Sequence, residues 1–187
     1  MTIVLKDNKS VWIAVGAAGV MINSHNDDLI HEDNLNLWRV TNVQNCIMSS
    51  VRAGGIDIDR IRYQKHLGLS DPLTQQNLIL KTVPKLKQIF EECDMMDGKE
   101  SWQTFLVAKG EKAFVIHPTF TCCEIEDFDV FGNGEDTAYG AMMYYKDLPP
   151  VERIAQTFRT LEKMRRTKHF PIVLMNTMSK ERIVIYE

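Results

Sequence analysis

Short β-branched, apolar runs open the chain, recur in its middle and close it, and stretches with helical spacing separate them. Thr2-Ile3-Val4-Leu5 and Val11-Trp12-Ile13-Ala14-Val15 flank the polar Lys6–Ser10, which predicts an N-terminal hairpin. Gly16-Ala17-Ala18-Gly19 breaks that pattern, and Val20-Met21-Ile22 reads as a short return. Asn23 to Asn36, rich in Asn, Asp and His, reads as a loop. Leu37-Trp38-Arg39-Val40 and Cys46–Val51, on either side of Thr41–Asn45, predict a second hairpin closed by Ala53-Gly54-Gly55.

The apolar period then lengthens. Ile58, Ile61 and Leu67 suit one helix, and Leu86, Ile89 and Phe90 suit another, with Pro84 marking a start or kink. Strands return at Trp102–Ala108, Ala113–His117 and Thr121–Glu126, the last running on through Glu124–Phe131. A small-residue helix follows to about Lys146, then a helix over Val151–Arg166 with Ile154, Phe158 and Leu161 on one face. Pro171–Met175 and Arg182–Tyr186 are the final strands. Antiparallel strand groups with paired helices between them predict an α+β fold, a four-layer αββα sandwich of two antiparallel sheets, in a single domain over residues 1–187.

Composition changes this picture little. The 187 residues are 44% hydrophobic with a net charge of -3, which gives no electrostatic case for nucleic acid or an anionic membrane. No apolar run reaches the ~20 residues of a membrane span, and no secretory signal is read at the N-terminus. Arg165, Arg166, Lys168 and His169 form a basic cluster expected to face solvent at a helix end. Cys46, Cys93, Cys122 and Cys123 lack CxxC spacing and read as buried or half-buried thiols in a reducing cytoplasm. The ten methionines read as adaptable core filler.

Candidate chemistry concentrates at Phe131-Gly132-Asn133-Gly134. A strand turns there through Gly-x-Gly into a helix whose first turn holds Glu135, Asp136 and Thr137, the residue types that meet unpaired helix amides. Ala138 and Ala141, flanking Gly140, are expected to let that helix lie close to the layer beneath. Two other constellations compete with this one. A cysteine nucleophile among Cys46, Cys122 and Cys123 has histidines such as His117 nearby, but none of the three lies at an N-terminus or a helix start that would lower its pKa. His25, Asp27, Asp28, His31 and Asp33 have metal-ligating atoms but read as a solvated loop, so no metal and no cofactor is expected.

Taken together, four stretches resemble the proteasome β-type and HslV-type N-terminal nucleophile hydrolases. They are the Thr2-Ile3-Val4 start, Leu37–Val40 through Gly54-Gly55-Ile56-Asp57, Lys109–Pro118, and the Gly132–Gly134 corner with its Ala-rich helix. In that family a free N-terminal threonine attacks, its own α-amine (pKa ~8) is the base, a lysine and an aspartate tune both, and backbone N–H groups hold the oxyanion. The resemblance implies Thr2, His31 and Asn133 as catalytic-site positions and Gly54 and Gly55 as backbone oxyanion donors. It also exposes departures. Met1 falls where the nucleophile belongs if the chains are aligned on Ile3-Val4. Gly16–Gly19 holds no acid, His31 stands near the expected lysine, and Asn133 replaces the corner's serine. The implied function is a cytoplasmic, non-catalytic scaffold or regulatory relative that self-assembles as a ring or dimer, with related subunits or peptide as further partners. The alternative is a threonine peptidase active after removal of Met1, with a divergent base system.

Overall fold

The computed structural model describes residues 1–16, 40–43, 46–50, 67, 69, 72–92, 94–101, 103–165 and 168–186. The first sheet is built on a hairpin of β1 (Thr2–Asp7) and β2 (Ser10–Gly16). A second hairpin pairs β3 (Val40–Val43) with β4 (Cys46–Ser50). Its first strand begins where the sequence pattern placed the strand's end, so the expected turn at Thr41–Val43 is part of the ladder. A helical stretch, α1, then runs through Gln75–Asn77, a π-helical turn Leu78–Thr82, and Val83–Glu92. The π turn explains how Pro84 is accommodated. Proline cannot donate to the carbonyl of Leu80 and crowds it, and the widened turn (Val83 N–H to the Leu78 carbonyl) relieves that crowding without breaking the helix.

The small ribbon of β5 (Met96–Asp97) and β6 (Glu100–Ser101) leads to β7 (Phe105–Lys109), β8 (Lys112–Ile116) and β9 (Cys122–Glu124). Next come β10 (Phe128–Phe131), α2 (Glu135–Tyr144), α3 (Pro150–Arg165), β11 (Ile172–Asn176) and β12 (Arg182–Ile185). One sheet has the order β10-β1-β2-β11-β12 and the other β3-β4-β7-β8-β9, and every pairing within them is antiparallel.

Alternation on the strands distributes the core into three layers. Val4, Ile13, Val15, Ile47, Leu106, Val115 and Met175 pack between the sheets. Ile3, Leu5, Ala14, Ile172 and Leu174 face Ala138, Met142, Ile154, Phe158 and Leu161 of α2 and α3. Met48, Phe105, Val107, Phe114 and Ile116 face Leu86, Ile89 and Phe90 of α1. This is the expected four-layer αββα sandwich, with sheets buried on both faces and therefore apolar at successive positions.

The expected strand Glu124–Phe131 is two strands in different sheets. β9 ends at Glu124, the Ile125 N–H still bonds the Ala113 carbonyl, and by Asp127 the chain has crossed, its carbonyl accepting from the Lys6 N–H. Apolar alternation runs through the crossing and conceals it. The helix expected from Ile56, the Asn23–Asn36 loop, the Val20–Ile22 return and the Gly54-Gly55 break lie outside the described residues, apart from Leu67 of that helix. Among the described residues, no helix is long and apolar enough to cross a membrane.

Candidate functional site

The amino end of β1 lies against the glycine corner. Thr2 pairs with Val15 on one side and Phe131 on the other, so the chain before it runs between Gly16 and Gly132. The Gly16 N–H donates to the Met1 carbonyl at 3.0 Å. Gly132 adopts φ 116°, and a Cβ there would stand 3.3 Å from the Met1 Cα, so both conformation and close approach require glycine. Gly134, at φ 95°, caps α2 without a side-chain bond, and a Cβ on it would press to 3.3 Å from Leu161 Cδ2. Asn133 stands exposed at the tip between these two glycines.

Residue 1 thus occupies the niche, and its side chain packs against the apolar cluster under α2 and α3. Thr2 is only 2% exposed. By strand alternation it falls on the side of Val4, facing the inter-sheet layer rather than the niche. His31, Gly54 and Gly55 lie outside the described residues, so of the expected site positions Thr2 and Asn133 are placed here, at opposite extremes of exposure.

The niche also contains a residue that the sequence pattern assigns to solvent. His169 is 6% exposed, because the chain folds back after α3 and lays it beside Gly16 and the ring of Phe158. The Glu162 carboxylate anchors this return by accepting the N–H groups of His169 and, at 3.0 Å, Phe170. A Cβ on Gly16 would lie 2.6 Å from Phe158 Cε1 and 3.2 Å from the His169 carbonyl, so Gly16 is the space into which this corner packs. Burial, and after it the positive amino group of residue 1, holds the His169 imidazole below its ordinary pKa, while Glu162 opposes them. The return after α3 thus brings an imidazole within electrostatic reach of the amino group of residue 1. The sequence signal for this is faint: an apolar Phe170-Pro171 directly after the basic run marks a return to the core.

Cys46, Cys122 and Cys123 bear out the reading as buried or half-buried thiols, and Cys93 lies outside the described residues. Cys122 packs against the α1-side cluster and Cys123 against the inter-sheet layer, on opposite faces of β9. No disulfide joins Cys46, Cys122 and Cys123. Burial, then the neighbouring Cys123, pushes the Cys122 thiol up to about 11, the wrong direction for a nucleophile. Of the two alanines expected to bring α2 close, Ala138 packs against the sheet in one cluster with Met142, whereas Ala141 is buried outside that cluster, and Gly140 between them is exposed with open space around it.

The architecture has known counterparts. BPH of Thiobacillus denitrificans matches with a TM-score of 0.67 at 15% identity, over 94% of this chain and 96% of that one. HslV from Trypanosoma brucei matches with 0.61 at 10% identity, over 94% and 97% respectively. The chain has the proteasome-like, HslV-like N-terminal nucleophile hydrolase fold. Anbu (ancestral beta-subunit) from Yersinia bercovieri is similar too, with a TM-score of 0.58 at 13% identity over all of this chain and 87% of that one. No protein-family model matches the chain, and no curated protein matches it in sequence. At these identities the likeness is one of fold, and the chemistry of the proteasome-like niche rests on its own residues.

Proposed function

We propose that this chain is a self-assembling proteasome/HslV-like subunit that works as a scaffold or regulatory element and is not a threonine peptidase. The observation that carries this reading is the place of Thr2. It lies within the ladder, paired with Val15 on one side and Phe131 on the other, and is 2% exposed. The sequence around it supports the same conclusion. There is no acid between Asp7 and Asp27 and no lysine between Lys9 and Lys65, so the groups that would tune an N-terminal amine are missing from their places.

Assembly is supported by the outer face of α2 and α3. Tyr144 (80% exposed) and Met164 (69%) stand in solvent around a shallow groove lined by Gly140 and Ala141, and Met143 (58%) is exposed on the same helix. Large apolar side chains clustered beside a residue with no side chain form a surface suited to a second copy of the same chain.

An epoxyketone probe tests the first claim. BPH of Thiobacillus denitrificans is known in complex with epoxomicin. Purified protein incubated with epoxomicin is expected to keep its intact mass, with Met1 in place. A covalent adduct on Thr2 of a chain lacking Met1 would establish the peptidase reading instead. For assembly, light scattering should give a mass above the 21.5 kDa of one chain, falling to that value in a Met143→Glu/Tyr144→Glu variant.

A further inference from the structure

At the far end of β1 from the niche, a cleft of about 600 Å³ opens between the β1–β2 turn, the β7–β8 turn, the β9–β10 crossing and the start of α3. Its lining is balanced in charge, with four cationic and four acidic side chains, but these are not all spent on one another. Lys112 is paired with Glu124 at 2.5 Å, and that bond, Glu124's charge, and then Glu126 and Glu111 hold its ammonium above the ordinary value. The β7–β8 turn and the β9–β10 crossing therefore bring three carboxylates, Glu111, Glu126 and Asp127, against the one lysine.

The α2–α3 connection and the first turn of α3 bring Lys146 and Arg153 to the lining, and no acid. Arg153 is 8% exposed, and it is held by a bond from Nε to the Met142 carbonyl (2.9 Å) and by stacking over the Phe128 ring. Among the described residues, no carboxylate pairs with Arg153, Lys6 or Lys146, all of which line the cleft. A buried guanidinium without an anion is costly, and Arg153 also lies in the first turn of α3, where the helix dipole disfavours a cation. Both costs fall when an anion enters. Leu5, Leu148 and Pro150 supply the apolar part of the lining.

We propose that this cleft binds a zwitterion of the amino-acid type, a free amino acid or a short peptide, with its carboxylate at Arg153 and Lys146 and its ammonium at Glu126 and Asp127. The balanced lining disfavours a dianion, because a phosphate would gain at Arg153 and lose against the carboxylates of the same lining. A ligand carrying both charges gains from both, and an aliphatic side chain covers the apolar part.

Calorimetric titration of the full chain with glycyl-leucine, beside free leucine, tests this. Saturable binding at millimolar concentration is expected. Acetylating the amine or amidating the carboxylate should weaken it about tenfold each, as losing a charged hydrogen bond does. Lys146→Ala and Glu126→Gln, both at exposed positions, should weaken it with the melting temperature unchanged. Binding by glycyl-leucine alone would assign the site to peptides, and equal binding by leucine would assign it to amino acids. The absence of binding by either, binding indifferent to both substitutions, or equal binding of inorganic phosphate would overturn the proposal.

Discussion

The two ends of β1 are built on opposite principles. At its start the backbone is squeezed between Gly16 and Gly132, charge is scarce, and a histidine is held neutral by burial. At its far end the chain opens onto a cleft lined by charged side chains on turns. The first end tolerates almost no added atom, whereas at the second every charge except the buried Arg153 stands at least partly in solvent and could be exchanged with little effect on the fold. Close packing and conformational strain hold one end, and solvent holds the other.

Substitutions should separate these ends by size of effect. Phe158→Ala, which empties the ring that Gly16, His169 and Phe170 pack around, should cost about 3–5 kcal/mol in denaturant unfolding. Gly16→Ala and Gly132→Ala should each cost about 1–3 kcal/mol, the first by collision with Phe158 and the second by its backbone angle, both read as a lowered denaturant midpoint. Parity of either with a surface substitution would mean the niche is looser than described.

His169 gives a smaller, pH-dependent effect. Its folded-state pKa lies below the ordinary 6.5, so the unfolded chain binds the extra proton and acid favours unfolding. The stability this withholds is intact above about pH 6.5 and is lost as pH falls through the lower folded-state value. Thermal melts between pH 7.5 and 5 should therefore fall less steeply in His169→Gln than in the parent. Identical slopes would place the imidazole in contact with water. The smallest change belongs to the other end. Lys112→Ala breaks an exposed ion pair and should leave the melting temperature unmoved.

Most of the scaffold is legible in the pattern of amino acids, because buried strands declare themselves through β-branched runs. The β1–β2 hairpin, β7, β8, β11 and β12 fall within a few residues of expectation. Features that depend on distant partners are not legible in that way. The crossing at Ile125–Asp127 shares its alternation with the strands on either side, and which sheet each strand joins is decided by neighbours far away in sequence. Pro84 signals a break, but whether a helix stops there or widens depends on packing against Leu86 and Phe90. His169 looks like one more cation at a helix end, and its burial follows from the turn that Glu162 anchors. Gly132 and Gly134 are legible, since positive φ at a tight bend is a local demand.

The crossing has a mechanical result. Within a few residues the main chain gives up its last bond to one sheet, at Ala113, and takes its first from the other, at Lys6. The two sheets are therefore stitched together by a taut span and cannot slide past each other independently. Any shear between them, from a neighbour pressing on α1 for example, would pull on β10 and so reach the bend that cradles the first residue.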